Sequence, residues 1–237
     1  MDTLTDNFAK DDLAKSLIVM LPGAYDSPAD FVAQGFVVAL RSRNIAADVM
    51  MVNAHVNYYT ETDQKIVSHL HTQIVQPARL KGYEQIWLVG ISLGGYGSLL
   101  YSQKHPEMIN GLFLMAPFMG PRDIPVEIQQ QGGLKYWRPG NIPEDDYDRK
   151  LWLWLQGYCL PSSWTRPPIY VGFGVDDRFV ASNRLLAQVL PSNQTFTVPG
   201  GHDWLPWQQL WAKFLDCAPL PRKMGLQAQI CRSSDIQ

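Results

Sequence analysis

The stretch Gln85-Ile86-Trp87-Leu88-Val89-Gly90-Ile91-Ser92-Leu93-Gly94-Gly95 decides how this chain folds. Its first half is a short apolar run of strand length, and its end opens a segment that reads as helix through His105. A serine between them, with glycine two positions before and two after, stands at a sharp strand-to-helix turn. Such a backbone is strained and lifts the hydroxyl clear of the sheet, and the glycines remove side chains that would collide there. By composition alone the bare pattern of three positions turns up in roughly one chain in ten of this length, so its context carries the weight. A helix N-cap is the simpler role for Ser92. That role explains neither glycine and makes no demand on a later histidine.

Outward from this turn, short apolar runs alternate with longer amphipathic segments, the pattern of parallel strands joined by crossover helices and covered on both faces. Strands are expected over 16–21, 47–52, 85–90, 111–115, 169–173 and 194–198, and helices over 28–42, 60–79, 93–105, 181–189 and 204–215. Between residues 117 and 168 the rhythm gives way to a stretch rich in Pro, Gly, Tyr and Trp, too long for an ordinary connection. It is expected to be an inserted lid or binding loop within one domain spanning residues 1–237. The tail, 219–237, is expected to pack loosely.

A histidine after the last expected strand sits in Pro199-Gly200-Gly201-His202-Asp203-Trp204, at the carboxyl edge of the sheet, where the catalytic groups of open α/β sheets gather. His69 and His71 lie within a helix, His105 closes one and His55 is in a loop, so His202 is the candidate base. A carboxylate must hold its imidazole in one tautomer and stabilise the imidazolium. The strand ending near Phe173 leads to Gly174-Val175-Asp176-Asp177-Arg178-Phe179-Val180, where two adjacent aspartates compete for that role and the unused one is expected to cap the next helix. The order Ser, acid, His is the one this elbow uses.

These segments, GISLGG, GVDDRFV and GGHDW, resemble those of the α/β-hydrolase superfamily, and more closely its small bacterial carboxylesterases and thioesterases, from about Leu17 to Leu215. The resemblance implies a three-layer α/β/α sandwich around a mostly parallel sheet cut down to about six strands, with an aromatic-rich lid insertion. It selects Asp177 over Asp176, because Gly174, Asp177 and Val180 match a Gly-x-x-Asp-x-x-Val pattern. It also implies an oxyanion hole from the backbone amides of Leu93 and Ala24. In the loop Leu21-Pro22-Gly23-Ala24-Tyr25, Pro22 replaces a common histidine, which leaves Tyr25 as an alternative second donor.

The insertion contains Tyr136, Trp137, Tyr147, Trp152, Trp154, Tyr158 and Trp164, rings that either line a pocket or pack the insertion onto the sheet. Tyr25, Trp154 and Trp204 are the candidate substrate contacts. The acids Glu144, Asp145, Asp146 and Asp148 read as a solvated rim, lacking the spacing of a calcium loop. No ligand set for a catalytic metal and no cofactor motif is present, so none is expected.

The 237 residues carry a formal net charge of −2, which supplies no field to draw nucleic acid. No run approaches the length needed to span a bilayer, and residues 1–15 lack the basic start of an export signal, so a cytoplasmic protein is expected. Cys159, Cys217 and Cys231 read as reduced thiols, with a Cys217–Cys231 clamp as the alternative. The expected activity is hydrolysis of a carboxylic ester or thioester with a partly apolar acyl group. A catalytically silent scaffold that binds a ligand or protein is the competing expectation.

Overall fold

Complete burial of a strand marks a sheet covered on both faces, because alternate side chains point to opposite sides. The run Ser16-Leu17-Ile18-Val19-Met20-Leu21 meets that condition at every residue, as does Gly111-Leu112-Phe113-Leu114-Met115. The computed structural model describes residues 1–9, 14–54, 56–60, 65–160 and 166–222. Its strands are β1 (Thr3–Asp6), β2 (Ser16–Leu21), β3 (Ala47–Val52), β4 (Gln85–Ile91), β5 (Gly111–Met115), β6 (Ile169–Gly174) and β7 (Thr195–Val198). They lie in the order β1-β3-β2-β4-β5-β6-β7. Every neighbouring pair is parallel except β1 with β3, where Thr3 faces Val52 and Asp6 faces Val49. This makes seven strands against the six or so expected. The additional one is Thr3-Leu4-Thr5-Asp6, an edge strand that is mostly exposed and so carries no apolar run to announce it.

The helices are α1 (Pro28–Ala33), α2 (Phe36–Arg41), α3 (Asn57–Thr60), α4 (Lys65–His69), α5 (Gln76–Lys81), α6 (Leu93–Lys104), α7 (Asp123–Gln130), α8 (Tyr147–Gln156), α9 (Val180–Ala187) and α10 (Trp204–Cys217). Helix α6 packs on β2, β4 and β5, and α10 on β5, β6 and β7. Two expected helices are broken. The one over 28–42 divides at Gly35, whose φ of 77° is a left-handed conformation that glycine takes without steric penalty. The one over 60–79 contains a π-helical turn, Leu70–Val75, where Thr72 Oγ1 donates to the Ser68 carbonyl at 2.8 Å and competes with the regular ladder.

Residues 117–160 contain two helices, α7 and α8, tied together by one cation. Arg149 on α8 reaches Glu127 at 2.8 Å, Asp146 at 2.9 Å and Asp123 at 3.3 Å. Trp137 and Trp152 are fully buried, and their indoles donate to Glu127 Oε1 at 2.9 Å and to the Met119 carbonyl at 3.0 Å. Both rings therefore pack the insertion rather than face a ligand. Trp164 lies outside the described residues. The acidic rim is also partly structural: Asp146 caps α8 through the Arg149 amide, and Asp148 accepts from Tyr96 Oη at 2.7 Å. Burial holds the Asp148 carboxyl above the usual carboxylate range.

The expectation of three reduced thiols fails at Cys217, which is disulfide-bonded, whereas Cys159 is free; Cys231 lies outside the described residues. Of the expected tail, residues 219–222 are described. The Ala46 amide donates to the Pro221 carbonyl at 2.8 Å, and Leu220 is buried. Among the described residues no helix is long and apolar enough to cross a membrane.

Candidate active site

Ser92 follows β4 and starts α6, with φ 51° and ψ −113°, a conformation that non-glycine residues rarely adopt. Close backbone packing enforces it. A Cβ on Gly90 would lie 2.4 Å from the Gly94 carbonyl oxygen, and one on Gly94 would lie 2.2 Å from that of Leu21. The exit of β5 clasps the turn from the other side: the Ser92 amide donates to the Met115 carbonyl at 3.0 Å, and the Phe118 amide to the Ser92 carbonyl at 2.9 Å. Gly94→Ala is therefore expected to destabilise the protein by about 1–3 kcal/mol or more, since backbone atoms cannot yield as side chains do. A chemical denaturation midpoint equal to that of the wild type would contradict this.

The other two residues arrive on loops from β6 and β7, which are joined to each other. A Cβ on Gly174 would lie 2.2 Å from the Gly200 carbonyl oxygen, to which the Asp176 amide also donates at 3.0 Å. This contact brings Asp177 to His202. Asp177 Oδ2 lies 2.8 Å from His202 Nδ1, and His202 Nε2 lies 2.9 Å from Ser92 Oγ. Asp177 Oδ1 is engaged separately, accepting from the Phe179 amide at 2.7 Å. Because a carboxylate only accepts, Nδ1 carries the proton and Nε2 is left to accept from the serine hydroxyl. The Asp177 side chain has no exposed surface and that of His202 is 9% exposed, so the pair is shielded from water while Ser92 stands at its end. Asp176 is exposed and has no side-chain bond to His202 among the described residues.

Of the other histidines, His69 bonds the Lys65 carbonyl, and His71 approaches Tyr101 and stacks on His105. His55 lies outside the described residues. Helix α6 begins at Leu93, so its first amide has no partner within the helix. The amides of Ala24 and Tyr25 make no backbone hydrogen bond among the described residues.

A family model described as the alpha/beta hydrolase fold matches residues 56–158, a span that holds β4, the serine turn and α6. The mostly parallel sheet with helices packed around it agrees with that description. The chain has the α/β-hydrolase fold. Solved structures with this fold align along most of it. A ferulic acid esterase is 17% identical with a TM-score of 0.61, over 90% of this chain and 95% of that one. An S-formylglutathione hydrolase from Staphylococcus aureus is 13% identical with a TM-score of 0.58, over 87% and 82%. A monoacylglycerol lipase from Paleococcus ferrophilus is 13% identical with a TM-score of 0.55, over 91% and 98%. No curated protein sequence matches the chain.

The three candidate substrate contacts fall in different places on the α/β-hydrolase scaffold. Tyr25 is 97% exposed. Trp154 is half-buried, edge-on to Tyr158 at 5.5 Å. Trp204 lies edge-on to Phe31, Phe36 and Trp207, with Asp26 nearby. Rings not singled out from the sequence lie near His202, and one of them, Trp207, is buried edge-on to it at 5.1 Å. Phe179 stands edge-on to His202 at 5.0 Å, and Phe118 edge-on to Phe179 at 5.6 Å; both are half-buried. The signal of the two phenylalanines is positional: Phe118 lies three residues after β5 and Phe179 two after Asp177. A groove of about 560 Å³ lined by Gly133, Lys135, Tyr158, Cys159 and Gln188 is separate and includes none of the three.

Proposed function

We propose that the protein is a serine hydrolase that cleaves a carboxylic ester or thioester with a small to medium, partly apolar acyl group, through an acyl-enzyme. The observation that carries this is the continuous contact from Asp177 Oδ2 through the two nitrogens of His202 to Ser92 Oγ, at 2.8 and 2.9 Å. Ser92 Oγ attacks the carbonyl carbon while its proton passes to Nε2, and Asp177 stabilises the imidazolium so formed. The amides of Leu93 and Ala24 face the carbonyl oxygen as it becomes negative, each worth about 3 kcal/mol where such donors have been removed. Collapse expels the alkoxide or thiolate, which takes the proton from His202 and leaves Ser92 acylated. Water then gives its proton to the same nitrogen and attacks the acyl carbon; the acid departs and Oγ regains its proton. No step calls for a metal or cofactor.

The half-buried ring of Phe179 against His202, with that of Phe118 against Phe179, favours an apolar acyl group. Structures of similar fold bear the names of a ferulic acid esterase, an S-formylglutathione hydrolase and a monoacylglycerol lipase, which keeps the leaving group open on this scaffold. The test is reaction with an alkyl fluorophosphonate followed by peptide mapping. One adduct per chain, on Ser92, is expected, together with loss of p-nitrophenyl ester turnover in proportion to labelling. An unlabelled, inactive protein would favour a silent binding scaffold instead.

A further inference from the structure

The loop between β2 and α1 carries a carboxylate that the proposed chemistry does not use. Asp26 is half-buried near Trp204, and its amide donates to the Gly23 carbonyl at 3.3 Å, which closes the loop into a tight turn. A Cβ on Gly23 would lie 2.5 Å from Asp26 Oδ2 and 3.8 Å from Ser92 Cβ, so the carboxylate and the serine flank the same small volume. The groups that act on it come from every side: Asp30 on α1, His202, Trp204 on α10 and the Gly23 backbone. Among the described residues no lysine or arginine pairs with it. Asp30 adds a second negative charge nearby.

A ligand seated on Ser92 therefore meets an uncompensated negative charge at the wall of its site. We propose that Asp26 sets the charge selectivity of the Ser92 site, favouring acyl groups that are neutral or cationic over anionic ones, an inference that rests on the nucleophile assignment above. A like charge within about 8 Å, at an effective dielectric near 20, corresponds to roughly thirtyfold in rate or affinity, and solvent and salt reduce this to about tenfold. Burial and the neighbouring Asp30 hold the Asp26 carboxyl above the usual carboxylate range. On acidification the selectivity therefore fades at a higher pH than an exposed aspartate would give.

The experiment compares inactivation rates with three fluorophosphonates of equal chain length, ending in methyl, trimethylammonium or carboxylate, on the wild type and on Asp26→Asn. The amide keeps one acceptor oxygen and the size of the side chain. The wild-type ratio of cationic to anionic rates should exceed that of the variant about tenfold, and should shrink in 0.5 M salt. A ratio unchanged within twofold by the substitution overturns the proposal. If the variant fails to fold, the wild-type ratio decides alone: a value near one, indifferent to salt, overturns it as well. Failure of all three reagents to label Ser92 would instead reject the hydrolase assignment, so the two failures are distinguishable.

Discussion

Ser92→Ala is expected to lower turnover of a short p-nitrophenyl ester by roughly a million-fold while leaving stability within about 1 kcal/mol. Alanine cannot form the acyl-enzyme, and with the nucleophile gone His202 has no proton to take. The stability change is small because the hydroxyl packs against nothing it supports: Oγ has His202 as its partner, at 2.9 Å. The strain stays as it was, since alanine must take the same φ of 51° under the same backbone contacts. Burst titration and a thermal melt check both halves. A variant keeping more than a few per cent of wild-type turnover would place the nucleophile elsewhere.

Asp177→Asn is expected to cost roughly ten-thousandfold in turnover, and Asp176→Asn little. The size of the first effect follows from how both oxygens are used. Oδ1 accepts from the Phe179 amide at 2.7 Å, which would take the one oxygen of an asparagine and turn its NH2 toward His202 Nδ1. Nδ1 must then accept, Nε2 must carry the proton, and the imidazole can no longer take one from serine. Asp176 is exposed, and only its backbone is tied to the histidine loop. Steady-state kinetics of the two single variants decide the matter. Reversed effects would move the acid by one residue and keep the mechanism, whereas near-normal turnover in both and in the double variant would require another acid.

The central strands were legible because complete burial writes itself as an unbroken apolar run, as in Ser16–Leu21 and Gly111–Met115. The serine turn was legible because the collisions it avoids can be met only by glycine, and the histidine because it follows the last such run. What escaped has a common cause in polar or two-sided environments. Strand β1 is exposed and held by β3 rather than by a core, and the break at Gly35 looks like any glycine inside a helical pattern. Trp137 and Trp152 could not be told from pocket rings, because a ring that packs an insertion and a ring that binds a ligand obey the same hydropathy. Phe179 and Asp26 carried no periodicity at all. Their place comes from the contact of Gly174 with Gly200 and from the approach of Gly23 to Ser92, two long-range events that no local pattern encodes.

The clasp on Ser92, its amide on Met115 and its carbonyl under Phe118, makes the reactive turn part of the seam between two central strands. A loop hung from the sheet edge could open by itself, as many binding segments do. Here the serine cannot leave its strained conformation unless β4 and β5 part, which is global unfolding rather than a local fluctuation. The backbone of Ser92 is thereby as rigid as the core, and any adjustment to a ligand must come from the aromatic side chains and the inserted helices around it.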